Sequence, residues 1–278
     1  MSAAPDAEPP PPRVEVGDTP TRSDNSGAVF DETPIRSDNS GGVYDDDGRW
    51  WPDNPSEVEE ISVPGHARSI KVKEDLRFGT GGRVWNTALA LVSLLAEHPD
   101  LISDKRHIVE LGSGTGFLGI ACSILLSAHT GLDLHRPDGP RITVTDRESL
   151  IPIMKEHIRI NGVADGVEAA TLVWGADVSA FGAPDAVLMA DVAFTDAYAD
   201  LAATLASLCG PETLVLHGFK ARREGVGQLF LEEIKRLGFT TEALDMPSSV
   251  IGWPDGWADG ISLYQHRLSH NRLGTGEG

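Results

Sequence analysis

The sequence predicts an α/β fold: a seven-stranded, mostly parallel sheet with helices on both faces, closed by an antiparallel hairpin and preceded by a further β-hairpin. Three observations carry this. From about residue 107, short apolar runs alternate with longer stretches of helical spacing, the pattern of repeated βα units around a parallel sheet. The last two apolar runs have no helix between them, so they pair antiparallel. A glycine-rich turn, Gly112-Ser113-Gly114-Thr115-Gly116, follows the first of these strands and opens a helix.

Taken in order, residues 1–56 are rich in Pro, Asp, Ser and Gly and poor in aliphatics, and are expected to be an unstructured acidic tail. A tandem repeat lies within them. Thr19-Pro20-Thr21-Arg22-Ser23-Asp24-Asn25-Ser26-Gly27 recurs as Thr33-Pro34-Ile35-Arg36-Ser37-Asp38-Asn39-Ser40-Gly41, each copy followed by an aromatic, Phe30 or Tyr44. Two copies are too few for a solenoid. They are either a duplicated linear binding motif or a simple tract duplication.

The main domain is expected over 57–269, with a flexible C-terminus at 270–278. Val58, Ile61 and Val63 precede Pro64-Gly65, and Ile70 and Val72 alternate with charged residues, which predicts a β-hairpin. Residues 84–96 carry helical apolar spacing up to His98-Pro99. Strands are predicted at 107–111, 141–145, 170–174, 185–190, 212–217, 239–245 and 260–267. Helices are predicted at 116–127, 148–160, 196–208 and 222–237. The helix at 148 takes its cap from Asp146 or a neighbour, and the helix at 222 carries Leu229, Phe230, Ile234 and Leu237 on one face.

Composition narrows the function classes. The 278 residues carry a formal net charge of −19, with 15 acids against 4 bases in residues 1–60 and 27 against 19 in the rest. Such a chain gains little from phosphate neutralisation, so no nucleic-acid partner is expected. A basic protein partner suits it better. No apolar run approaches the ~20 residues that span a bilayer, so no membrane partner is expected. The opening MSAAPDAEPPPPR lacks the pattern of a secretory signal. Cys122 and Cys209 read as reduced core thiols, consistent with a cytoplasmic or nuclear location.

The chemistry centres on Glu110-Leu111-Gly112-Ser113-Gly114-Thr115-Gly116. Glycines there let the backbone turn sharply and approach a ligand closely. A dinucleotide site uses G-x-G-x-x-G. Counted from Gly112, its third glycine would fall at Phe117, whose bulk obstructs close helix–strand packing. The observed E-x-G-x-G-x-G resembles motif I of the S-adenosylmethionine-dependent methyltransferases, where the loop holds an amino-acid moiety. A glutamate carboxylate beside it can attract the cofactor's ammonium while backbone N–H groups meet its carboxylate. Asp146, ending the second strand, either accepts the ribose hydroxyls or caps the next helix. Trp174, ending the third, either walls the adenine or sits in the core.

Two further segments sharpen the resemblance. Asp191-Val192-Ala193-Phe194 closes the fourth strand after Ala190, and D-x-x-[YF] there resembles the signature of the seven-β-strand protein lysine methyltransferases. Gly79-Thr80-Gly81-Gly82-Arg83-Val84-Trp85 is similar to that group's pre-domain motif, whose tryptophan touches the cofactor. The matches run in order over about residues 57–268. The resemblance implies a Rossmann-like fold and S-adenosylmethionine as cofactor. It implies cofactor contacts from Trp85, Glu110, Gly112, Ser113, Gly114, Thr115, Gly116, Asp146, Trp174 and Ala190, and methyl transfer to a protein lysine at Asp191 and Phe194.

Such a transfer needs an aligned, neutral amine. Asp191 can orient that amine and help manage its proton, and the Phe194 ring can hold a methylammonium by cation–π contact. Both also read as structural, a helix cap and a core aromatic. Phenylalanine stands at 194 where tyrosine is frequent, so no phenol is offered. Trp253 and Trp257, in the loop 247–259, read equally as a recognition surface or a lid. His217, closing the fifth strand, reads as a hydrogen-bonded structural residue before a general base. No cluster has metal-ligand spacing, so no metal is expected. Two alternatives stay open: a small-molecule N-methyltransferase, and a non-catalytic cofactor-binding scaffold acting through the tail. The sequence does not give the oligomeric state.

Overall fold

The computed structural model describes residues 36–38, 42–44, 50–52, 57–63, 66–131, 139–193, 197–221, 225–251 and 260–269. All of them fall in one compact unit, Thr33–Gly278. Three short strands come first: β1 (Arg36–Asp38), β2 (Gly42–Tyr44) and β3 (Trp50–Pro52), paired antiparallel in that order. This corrects the expectation of an unstructured segment throughout 1–56. The second repeat copy supplies β1 and β2, with Arg36 paired to Tyr44 and Asp38 to Gly42. Residue types that favour turns flank residues that can pair, and low mean hydropathy hid the strands.

The expected hairpin follows as β4 (Glu59–Ser62) and β5 (Ser69–Val72), then α1 (Asn86–Glu97). The βα series is β6 (His107–Leu111), α2 (Phe117–Thr130), β7 (Arg141–Asp146), α3 (Ile151–Asn161), β8 (Val167–Thr171), β9 (Ala186–Ala190), α4 (Tyr198–Leu208), β10 (Leu214–Lys220) and α5 (Val226–Arg236). It ends in β11 (Phe239–Leu244) and β12 (Ile261–Leu268).

These strands form one seven-stranded sheet in the order β8-β7-β6-β9-β10-β12-β11. All pairs are parallel except those of β12, which inserts antiparallel between β10 and β11. The predicted architecture holds, including the terminal antiparallel pair. Two apolar cores flank the sheet. One joins α1, α2 and α3 with Ile108, Ile142, Val144 and Leu188; the other joins α4 and α5 with Val109, Val187, Met189 and Val215.

Two boundaries differ instructively. The third strand of the series is Val167–Thr171, not 170–174, because its length follows its partner, Ile142 pairing Val167 and Asp146 pairing Thr171. As an edge strand it is half exposed, so its apolar signal is weak. Leu172 and Trp174 belong to the return loop that folds over the α4 side. On α5, Phe230 and Ile234 are fully buried, whereas Leu229 is 42% exposed. Spacing of four places 230 and 234 on one stripe, and 229 falls off it.

Candidate active site

The order of the sheet reverses between β6 and β9. The chain leaving β6 enters α2 on one face, and the chain leaving β9 leads to α4 on the other, which opens a crevice at the carboxyl ends of those strands. Leu111 pairs with Met189, so Gly112 and Ala190-Asp191 emerge side by side. Val192 packs directly on Gly112, and Trp174 Cζ2 lies 3.4 Å from where a Cβ of residue 112 would stand. The structure therefore brings Gly112, Trp174, Ala190 and Asp191 together. Trp174 reaches this point from the loop after β8 rather than from a strand end.

Gly112, Gly114 and Gly116 all take positive φ (65°, 55° and 76°), a backbone path that side chains with a Cβ rarely follow. Ser113 continues the ladder between β6 and β7. Its N–H donates to Thr145 O at 2.9 Å, and its hydroxyl accepts from Thr145 N at 2.9 Å. The buried Thr115 carbonyl accepts from His157 Nδ1 at 2.7 Å. The hydroxyl of Ser113 and the carbonyl of Thr115 thus hold the loop's shape from beneath.

Glu110 is buried, and its Oε2 accepts from Gly119 N at 2.9 Å. Helix α2 begins after Gly116, which has no capping side chain, so this carboxylate satisfies one of the first-turn amides from the neighbouring strand. Burial pushes the Glu110 carboxyl up to about 8, against the Gly119 and Ser113 hydrogen bonds and assisted by the charge of Asp146. Gly119 makes this possible. A Cβ there would collide with Val144 and lie 2.8 Å from Glu110 Oε2.

Gly119 was missed from the sequence, and the signal was present. Counted from Gly114 rather than Gly112, Gly114-Thr115-Gly116-Phe117-Leu118-Gly119 is itself G-x-G-x-x-G. The third glycine does serve close packing of helix on strand, so Phe117 is no argument against a nucleotide-type loop.

Asp146 does not cap α3, whose N-terminus has no side-chain cap. Its carboxylate turns to the glycine loop instead, accepting from Gly114 N at 2.9 Å and Arg147 N at 2.8 Å. Burial raises its carboxyl above the ordinary value. The pre-domain motif closes the other side. Gly81 packs on Leu150, and its carbonyl oxygen lies 2.8 Å from where a Gly114 Cβ would stand. Trp85 follows at the start of α1, its indole N–H donating to Thr80 O at 3.0 Å, with the Arg83 guanidinium 4.7 Å over its ring.

Asp191 is the one non-glycine with positive φ among the described residues, at 58°. It is 5% exposed, its N–H donates to Gly218 O at 2.8 Å, and its Oδ1 meets Lys220 N at 3.4 Å. A left-handed aspartate costs about 1 kcal/mol or more, and such strain persists where surroundings over-determine it. It does not start a helix, since α4 begins at Tyr198. Its helix-cap reading is excluded.

Phe194, Trp253 and Trp257 lie outside the described residues. His217 lies mid-strand, because β10 runs on to Lys220, and it is 1% exposed beneath the Phe219, Phe230 and Tyr264 rings. It is not placed to act as a base at the crevice. Among the described residues no group of three or more His, Cys, Asp or Glu could hold a metal ion, and no helix is long and apolar enough to cross a membrane.

The donor set fits S-adenosylmethionine. The three-glycine turn leaves backbone room for a ligand, and carboxylates stand beneath it and at the end of the neighbouring strand. Fold and site together define a class I S-adenosylmethionine-dependent methyltransferase. The family described as lysine methyltransferase matches residues 65–237, well over half of the sequence, and the chain belongs to that family.

Named relatives agree. EEF1A lysine methyltransferase 3 of Mus musculus is 28% identical over 189 residues, covering 67% of this chain and 75% of the relative. Protein-lysine N-methyltransferase EFM6 of Saccharomyces cerevisiae is 33% identical over 191 residues, covering 60% and 75%. Protein N-lysine methyltransferase METTL21A of Xenopus tropicalis is 28% identical over 177 residues, covering 62% and 75%. The activity is S-adenosylmethionine-dependent methylation of protein lysine.

Proposed function

We propose that the acceptor is a lysine on a basic protein surface, and that Asp191 orients its ε-amine for transfer. The observation that carries this is the Asp191 backbone. A buried, left-handed aspartate is fixed between Gly218 O and Lys220 N, beside Gly112, at the mouth of the crevice. Bound S-adenosylmethionine supplies an electrophilic methyl group on a sulfonium. The chain's own residues then do the remaining work. Asp191 accepts a hydrogen bond from the neutral amine and so aims its lone pair, and it can receive the proton the amine loses when the new N–C bond forms.

On the cofactor side, the proposed contacts follow from position. The Glu110 carboxylate is placed to attract the ammonium, the Gly112–Gly116 turn to admit the amino-acid end, and Asp146 to accept from the ribose. The Trp174 indole flanks Gly112 and is placed to wall the adenine, with Trp85 at the rim. Phe194, three residues after Asp191, completes the acceptor side in this reading through cation–π contact with the methylated amine. The acidic balance of the chain favours a basic partner electrostatically. A cytoplasmic or nuclear location accords with two free, buried thiols. The functional unit is proposed as residues 57–269.

The test is methyl transfer from tritiated cofactor to EEF1A, the protein in one relative's name, and to whole-cell protein from the chain's source. A Gly114→Val variant, whose side chain would meet Gly81 O, serves as control. A labelled band absent from the control and mapping to methyllysine is the expected result. Label confined to small molecules would overturn the protein reading, and cofactor binding without any label would favour a scaffold.

A further inference from the structure

Helix α3 packs two side chains, four residues apart, against the strand that leads into the pre-domain motif. Asn161 pairs with the Lys71 backbone, its Nδ2 donating to Lys71 O at 2.7 Å and its Oδ1 accepting from Lys71 N at 2.8 Å. One turn earlier stands His157, 1% exposed. Its Nδ1 meets Thr115 O at 2.7 Å and its Nε2 accepts from Lys73 N at 3.0 Å. Thr115 O can only accept, so Nδ1 carries a proton; Nε2 stands between the Lys73 N–H and the Lys73 carbonyl, 3.1 Å from the latter, and with a single proton on the ring it takes the N–H. Burial lowers the pKa of this ring against its hydrogen bonds to the Thr115 and Lys73 backbone, and so favours the neutral form.

The two groups His157 joins belong to the two walls of the cofactor crevice. Thr115 sits between Gly114 and Gly116 in the glycine turn. Lys73 begins the stretch in which Asp75 N donates to Gly82 O at 2.9 Å, fixing the Gly79–Gly82 turn whose Gly81 carbonyl abuts Gly114. We propose that His157 is a positioning residue for cofactor binding: by tying Thr115 to Lys73 it sets the spacing between glycine loop and pre-domain motif. This rests on the proposed contacts of the Gly112–Gly116 turn with S-adenosylmethionine.

The two bonds can be separated by isosteres. Asparagine places its amide N–H where Nδ1 stands and keeps the Thr115 bond. Glutamine places its amide where Nε2 stands, reaches Lys73 and loses Thr115. Asn161→Ala loosens the same strand without touching the loop. The experiment measures Kd and KM for S-adenosylmethionine, kcat and the melting temperature of the full chain carrying each change. The expected result is a roughly tenfold rise in cofactor Kd and KM for His157→Gln with kcat within about threefold, and a rise under about threefold for His157→Asn. Asn161→Ala should lower the melting temperature and leave cofactor affinity within about twofold.

The proposal is overturned if His157→Gln binds like wild type. It is equally overturned if Asn161→Ala loses as much affinity, since docking of the strand alone would then explain the effect. Should His157→Gln not fold, a folded His157→Asn that loses tenfold in affinity overturns it, and one that retains affinity supports it. Failure of wild type to bind the cofactor would instead sink the underlying site reading.

Discussion

Gly119 and Glu110 form one fitted pair: the Oε2 of Glu110 lies 2.9 Å from Gly119 N and occupies space that any side chain at 119 would contest. An exposed helical Gly→Ala change gains about 1 kcal/mol from helix propensity. Here overpacking against Val144 and Glu110 opposes it, typically by ~1–3 kcal/mol, and the displaced carboxylate abandons an amide it was capping. Gly119→Ala should therefore be destabilising and should weaken cofactor binding. Urea midpoints and cofactor titration check both. A variant more stable than wild type would show that the helix shifts freely on the strand.

The protonation of Glu110 gives a binding signature. Its folded pKa, about 8, lies above the ordinary 4.5 because of burial. The folded state thus holds a proton that the unfolded state releases between these values. The associated stability is fully present below 4.5 and is lost as pH rises through about 8. A cofactor ammonium brought near would favour the carboxylate, so binding at pH 7 should release a proton. Calorimetry in buffers of different ionisation enthalpy measures this release, and Glu110→Gln should remove it. Proton uptake, or no buffer dependence in wild type, would contradict the proposed ammonium contact.

Asp191 sets stability against activity. Replacing it with glycine relieves the left-handed strain and should raise stability by about 1 kcal/mol, less whatever its hydrogen bonds contribute. Loss of amine orientation should lower kcat by about 10²–10⁴ while leaving cofactor affinity within a few-fold. Asp191→Asn keeps the conformation and should lose activity without gaining stability. Denaturant unfolding alongside single-turnover methylation resolves the two effects. An Asp191→Asn enzyme of full activity would remove the carboxylate from the mechanism.

The sequence displayed this fold well where burial repeats with a period. All seven sheet strands, four of the five helices to within a few residues, and the antiparallel ending followed from apolar runs and one missing helix. It failed where pairing rather than composition decides. The edge strand β8 was shifted because its partner sets its length, and β1–β3 are three-residue strands set in a segment whose overall composition is polar and poor in aliphatics. In the site, Asp146 and Glu110 were legible as chemistry, yet their hydrogen-bond partners were not. Gly114 N and Gly119 N meet them only once a strand and a loop are brought together. His157 offered no signal on its own. Its importance comes from Lys73, 84 positions away, and from Thr115, 42 away. His217 was drawn to the crevice by a strand predicted to end three residues early, at 217 rather than Lys220.

That strand holds the last testable pair. His217 Nδ1 and His266 Nε2 stand 3.3 Å apart across β10 and β12, and His266 Nδ1 meets the Thr241 hydroxyl at 2.9 Å. Both rings are buried, and His217 Nε2 has no hydrogen-bond partner among the described residues. Burial lowers the pKa of His217 well below its usual value and that of His266 to about 4. Both folded values are depressed, so the unfolded state takes up protons first. Their stability is fully present above the ordinary value of 6.5 and is lost as pH falls below it. For His266 alone, the shift to about 4 means a loss of about 2 kcal/mol between pH 7 and pH 5. His217→Phe removes one titrating ring and an unpaired buried nitrogen within an aromatic cluster. It should flatten the acid limb of stability, with a melting temperature at pH 5 closer to that at pH 7. An unchanged acid limb would place the acid sensitivity elsewhere in the molecule.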